Sequence, residues 1–296
     1  MVFRSSKYCY PLLFAALMYK ACTLYHAVDS AARVLKNKFL VEATCLWQIS
    51  TDSLITIASG IMLCRACLVD GRDERAASFS VQTIAMADRL DLACHYPASV
   101  TRFRNLSPAD ARFHAYIAWG HFAFHSKRSI AYTDPAPEYA PNCPIPGGDW
   151  TQPVAQPPYA GEMSAIMANF WTVMLPACSY YYLVRSRSFA QAQLLVIAEM
   201  VYKTLLDWSK SLDTIAASAP RSDLAFHHLA NCRSSSICLH VSIMDLFRPF
   251  LGLGYNLASF SAGTVPESVF MASLTQLKQT VLTVHTTSRT EWQIPM

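Results

Sequence analysis

His121 and His125 stand four residues apart in the apolar, aromatic run AYIAWGHFAFHSKRSIAY, residues 115–132. On a helix that spacing stacks both imidazoles on one face, as helices that supply paired metal ligands do. His114, immediately before that run, offers a third ring. A catalytic zinc needs at least one more protein ligand and a general base close by. Between the two histidines the chain has Phe122, Ala123 and Phe124, and the next acids, Asp134 and Glu138, fall in a proline-rich segment. Two readings follow: a metal-dependent helical enzyme built on His121 and His125, or an aromatic packing face that carries two histidines. The second is preferred, because the pair lacks its further ligand and its base.

Other residues of reactive type are scattered in the same way. Cys64 and Cys67 form a lone C-x-x-C with no second pair at a spacing that would complete a zinc site. No strand-turn-helix context suggests a redox motif there either. Ten cysteines spread through apolar stretches read as small core residues, and a chain of 296 residues needs no disulfide staples. A reducing, intracellular setting is therefore expected. Asp88 with Asp91, and Asp70 with Asp73 and Glu74, sit at helix ends and beginnings, where acids serve the helix dipole. Adjacent His227 and His228 point apart on a helix. GLGYNL (252–257) lacks the third glycine of a dinucleotide fingerprint and follows a helix, so it reads as a helix-ending turn. Neither a nucleophile elbow, nor a phosphate-binding loop, nor H-E-x-x-H is present.

The elements that must position these residues read as helices throughout. With 53% hydrophobic and 15% charged residues and 9 glycines, the composition fits a large helical body better than a turn-rich sheet. Residues 190–212 place Leu194, Ile197, Ala198, Val201, Leu205, Trp208 and Leu212 on one face, with Glu199, Lys203 and Asp207 opposite. A helix over 73–92 is expected to bury Val81, Ile84, Ala85 and Met86. Another, through SSICLHVSIMDLFRPFLG, is expected to bury Ile237, Val241, Met244 and Phe247 and to end near Arg248 because of Pro249. Ser107, Pro108 and Asp110 mark the start of the histidine helix. Residues 9–28, 38–69, 160–184 and 265–284 also read as helix, and the last roughly 30 residues as an incomplete C-terminal helix.

Eight of the 16 prolines fall in residues 133–162, which predicts a long irregular surface strap pinned by Tyr139, Ile145 and Trp150. The expected architecture is all-α: a single large multi-helix domain over 1–296 crossed by that strap. The apolar run near the start, about 12 residues, is too short for a bilayer, and no membrane association is expected. A net charge of +4 without a clustered basic patch argues against direct DNA binding by this chain.

Four stretches, taken in order, resemble the fungal-specific transcription factor domain, the middle homology region of fungal zinc-cluster regulators. They are PLLFAALMYKACTLY; the run from EATCLWQIS to ADRLDL, with Gly71 at a turn and Ala85, Met86, Ala87, Leu90 and Leu92 after it; ADARFHAYIAWGHFAFHSKRSIAY with its proline-rich descent; and YKTLLDWSKSL followed by LHVSIMDLFRPFLG. The resemblance implies that Trp119, Gly120, Phe122, Trp208, His240, Phe247, Arg248, Pro249 and Phe250 are family-motif packing residues, and it asks for no histidine at 121 or 125. It implies a non-enzymatic regulatory domain, nuclear or shared with the cytoplasm. Its partners would be the transcription machinery, a zinc-cluster regulator or a second copy of the chain, and a small-molecule effector would be sensed in an apolar pocket. The chain departs from the family pattern at Asp213, where a proline is usual, at Met244, in the region of a second histidine, and in having no six-cysteine zinc cluster. No cofactor or metal is therefore expected in this chain.

Overall fold

The computed structural model describes residues 10–132, 134–146, 158–185, 191–218, 224–258, 260 and 263–291. Its elements are α1 (Pro11–Tyr25), α2 (Ser30–Gln48), α3 (Leu54–Val69), α4 (Asp73–Arg89), α5 (Pro97–Arg104), α6 (Pro108–Ala131), α7 (Pro158–Arg185), α8 (Gln191–Ser218), α9 (Leu224–Phe247) and α10 (Pro266–Glu291). A 3₁₀ turn, Arg248–Phe250, follows α9. No strand occurs among the described residues, so the all-α class holds. None of the described helices is long and apolar enough to cross a membrane. Within the multi-helix domain expected for 1–296, the helices gather into two compact units, Met1–His125 with Ala140–Pro146, and Ser126–Tyr139 with Gly147–Met296.

In the first unit α1 packs on α2 and α3, and α3 packs on α4. The centre is α3, which buries Ile57, Ser59, Gly60, Leu63, Cys64 and Cys67. The single helix expected over 38–69 is broken at 49–53, because Ser53 caps a new helix: its Oγ accepts the Thr56 N–H at 3.1 Å. At the other end α3 closes with Gly71 at φ +70°, while Arg72 N–H reaches the Cys67 carbonyl at 2.8 Å. At Gly60 the helix can carry no side chain. A Cβ there would lie 2.1 Å from Thr83 Oγ1 and 2.7 Å from the Trp47 ring.

Asp70 ties three helices together. It accepts from the Tyr19 hydroxyl at 3.0 Å, from Lys36 and from Arg72 Nε at 2.7 Å. Burial alone would raise its pKa, but the bonds from Lys36, Arg72 and Tyr19 outweigh that and hold the carboxyl below its usual range. Burial, reinforced by Cys67 and Asp70, pushes the Tyr19 hydroxyl up instead.

The face expected for α4 needs correction. Val81 is 61% exposed, and the buried positions are Ala76, Phe79, Ser80, Thr83, Met86 and Ala87. The face α4 offers its neighbours is made partly of Ser80 and Thr83, which a search for apolar side chains passes over.

In the second unit α7, α8 and α9 pack on one another and α9 packs on α10. Leu194, Ala198, Val201, Leu205 and Trp208 are buried as the period of α8 predicts, but Glu199 is not on a solvent face. It is 5% exposed, and its carboxylate accepts the Ala258 N–H at 2.8 Å from the loop after the 3₁₀ turn. The α9 face is shifted: Leu239, Ser242, Ile243, Leu246 and Phe247 are buried, whereas Val241 is exposed and Ile237 and Met244 are half-buried. The helix does end before Pro249, and GLGYNL is a turn, with Gly252 at φ +74° and Gly254 at φ +67°.

The strap is irregular over 134–146, but its expected last residues are helical, since Pro158 opens α7 as a first-turn proline. Trp150 lies outside the described residues. Tyr139 is exposed and Ile145 half-buried. The pins belong instead to Asn142, whose N–H meets the Ala93 carbonyl at 2.8 Å, and Cys143, whose carbonyl accepts the Trp119 indole N–H at 3.2 Å.

Candidate functional site

The capping pair that opens α6 forms as read from Ser107 and Asp110: the Ser107 hydroxyl donates to the Asp110 carboxylate at 2.7 Å and accepts the Asp110 N–H at 3.2 Å. The helix then carries His121 and His125 with ring centroids 5.7 Å apart, so the stacked face is real. His121 is buried, and its Nε2 has no hydrogen-bond partner. Burial, with a smaller contribution from His125, lowers its pKa to about 3. Asp134, one of the acids that could have completed a site, pairs with Arg128 at 2.7 Å. Among the described residues no three His, Cys, Asp or Glu side chains gather around a point where a metal ion would sit.

A pairing that sequence spacing does not reveal joins His114 to Cys94. His114 Nε2 lies 2.8 Å from the Leu92 carbonyl and 3.4 Å from Cys94 Sγ. A carbonyl can only accept, so the contact with Leu92 places the proton on Nε2. That nitrogen then has no lone pair with which to take a proton from the thiol. Burial raises the Cys94 thiol and lowers His114, so both groups are held neutral. This is a fixed corner of the core and not an activated nucleophile. Cys94 adopts φ +58° and Asp91 φ +42° in the same turn. The Asp91 carboxylate accepts the N–H groups of His95 at 3.0 Å and Tyr96 at 2.9 Å. Burial opposes ionisation of Asp91, but these backbone bonds outweigh it and lower its pKa.

Cys64 and Cys67 are fully buried, and the Cys67 thiol is raised, chiefly by burial. The side chains of His227 and His228 lie outside the described residues, although α9 includes both positions.

The residues that carry the family resemblance divide cleanly. Trp119, Phe122, Trp208, Phe247 and Phe250 are buried. Trp119 meets Phe122 edge-on at 5.7 Å, Trp208 lies 5.0 Å from Phe170, and Phe247 meets Tyr202 edge-on at 5.3 Å. Pro249 sits in the 3₁₀ turn that stops α9. Gly120 and Arg248 are corrections. Gly120 is exposed with nothing near where a Cβ would stand, and Arg248 is exposed and pairs with Asp245 at 2.8 Å. Gly120 sits on the outward side of α6 and Arg248 opens the 3₁₀ turn with its side chain exposed, so neither packs. His240 is half-buried with its Nδ1 unpartnered, beside a polar groove of about 330 Å³ between α9 and α10.

One concavity was not expected from sequence. It is a cleft of about 720 Å³ in the first unit between α2 and α4, closed at one end by the residues that join α2 to α3. Its floor is apolar: Trp47, Phe79, Ala85 and Met86. Polar groups stand above it, among them Gln48, Ser50, Ser78 and Gln82. An ion pair crosses its end, with Arg89 donating through Nε and a terminal nitrogen to Asp52 at 2.7 and 3.0 Å. The only earlier sign of this cleft in the sequence is Trp47 itself, a large ring on an otherwise mixed helix.

Compared with protein-family models, with curated proteins and with solved structures, the chain matches none.

Proposed function

We propose that this chain is a non-enzymatic regulatory domain of the fungal transcription factor kind, working through protein contacts and effector sensing in the nucleus or between nucleus and cytoplasm. The observation that carries the reading is the fate of the motif residues. Trp119, Phe122, Trp208, Phe247 and Phe250, which carry the ordered resemblance, are core side chains of helices. The all-helical body supports it as well. No family match stands behind it, so the reading rests on those residues.

The mechanism that fits is a helical body with two packing states, one of which an effector or partner binds better; the difference in affinity sets how far the balance moves. His121 and His125 then serve packing. The chain carries no zinc cluster of its own and does not grip DNA unaided.

The test is a fusion of residues 1–296 to an unrelated DNA-binding module, read on a reporter in a fungal host. A clear rise or fall against the module alone is expected. Output equal to that of the module, with the fusion present at normal level, overturns the reading. So does stoichiometric zinc or iron in the purified protein that is lost when His121 and His125 are both changed to alanine, since that result favours a metal-dependent enzyme.

A further inference from the structure

We infer that the cleft between α2 and α4 is a binding site for a small anionic molecule with a flat apolar body, an aromatic carboxylate or sulfonate in chemical class, with Arg75 as its charge partner. Its biological meaning, as the effector site, rests on the regulatory reading above; its existence does not.

The cleft exists because its two walls pack elsewhere. α2 leans on α1 and α4 on α3, so α2 and α4 scarcely meet. What spans the gap is the Trp47 side chain. Its ring passes over Gly60, where any Cβ would collide with it, and meets Phe79 edge-on at 5.3 Å and 88°. Its indole N–H donates to Gln82 at 2.9 Å, and Gln82 in turn donates to Ser78 at 3.0 Å. The ring is therefore fixed before any ligand arrives, and a preorganised floor spares the ligand the ordering that would weaken its binding. At about 720 Å³ the cleft lies within the usual span of small-molecule sites, roughly 300–1,000 Å³.

Charge selects the class of ligand. The charged residues lining the cleft are Asp52, Arg75 and Arg89. Asp52 and Arg89 neutralise each other through their two-pronged pair. Arg75 has no ion-pair partner among the described residues, and the cleft is left with one positive charge. The acids beside it in sequence, Asp73 and Glu74, do not line the cleft. Arg75 also lies in the first turn of α4, whose dipole adds to the attraction for an anion. An anion paired with Arg75 and a ring laid on Trp47 and Met86 would satisfy both halves of the site.

Two fluorescent probes test this on the full chain: 1-anilinonaphthalene-8-sulfonate and its neutral relative N-phenyl-1-naphthylamine, which keeps the rings and lacks the sulfonate. The anionic probe is expected to bind saturably at one site, about tenfold more tightly than the neutral one, as a charge-assisted contact allows. Arg75→Ala, a change at an exposed position, should remove that preference and leave the neutral probe unaffected. Ala85→Trp, which fills the floor, should abolish both. Equal binding of the two probes, anionic binding indifferent to Arg75→Ala, or no saturable site at all overturns the inference. Probe binding that behaves as expected beside a silent reporter fusion leaves the site standing and sinks only the regulatory reading. The reverse pair of results does the opposite.

Discussion

Two cores of different chemistry are built from one chain. In the first unit the central helix α3 buries Ser59, Gly60, Cys64, Ala66 and Cys67 beside the larger Ile57 and Leu63, and α4 buries Ala76, Ser80 and Thr83 beside Phe79 and Met86. In the second the helices meet through rings: Phe170 against Trp171 and Trp208, Tyr202 against Phe247 and Phe260, Tyr180 beside Phe250. Small side chains let backbones approach closely, so the α3–α4 contact at Gly60 tolerates removal of an atom better than addition of one. Large rings fill space, so the second core loses most when one is deleted. Each unit also has a polar tie: Asp70 clamps Tyr19, Lys36 and Arg72 in the first, and Glu199 holds the Ala258 N–H in the second.

The largest expected effect comes from deleting a ring. Phe247→Ala should lower unfolding stability by about 3–5 kcal/mol in urea titration, because a fully buried aromatic leaves both lost transfer energy and a cavity. A loss under about 0.5 kcal/mol, the size of a surface change, would mean that the aromatic core is not what holds the second unit.

The opposite operation probes the first unit. Gly60→Ala adds one methyl where Thr83 Oγ1 and the Trp47 ring stand 2.1 and 2.7 Å away. Overpacking of that kind costs about 1–3 kcal/mol. The change should also displace Trp47 and loosen the cleft, so weaker binding of the anionic probe should accompany the lost stability. Ala added without cost would show that α3 and α4 are further apart than their small residues suggest.

The same contrast explains what could be read from the sequence. α8 was legible because its core positions are Leu, Val, Ala and Trp at helical spacing, a pattern that apolarity alone reveals. α4 defeats that search because Ser80 and Thr83 are core and Val81 is not. Glu199 defeats it for a similar reason. A carboxylate looks like surface until a loop from residue 258 brings a backbone N–H to it. The break at 49–53 depends on Ser53 acting as a cap, at the end of the short polar run Ser50, Thr51, Asp52 and Ser53 between two apolar stretches. Of the candidate site, the histidine face could be placed from spacing, but the burial of His121 could not. The cleft was out of reach, because residues 44–52 and 75–89 form it through the failure of two helices to pack.

Acid sharpens the comparison with the smallest effect. The unfolded chain protonates His121 near its ordinary value of 6.5, whereas the folded chain, having buried the ring, does so only at about 3. Above pH 6.5 neither state takes the proton and this residue adds no pH dependence. As the pH falls below 6.5 the unfolded state gains a proton that the folded state refuses, so stability declines by about 1.4 kcal/mol per pH unit from this residue alone. His114, also in the first unit, is lowered chiefly by burial and acts in the same direction. In the second unit His240, lowered by burial, does likewise. Urea titrations at pH 6.5 and 5.5 should therefore show the native chain losing about 1 kcal/mol more than His121→Gln, whose side chain cannot take a proton. An equal loss in both would mean that the folded chain protonates His121 as readily as the unfolded one does. The ring would then be open to water, and the aromatic face of α6 would no longer be the dry packing surface that its neighbours imply.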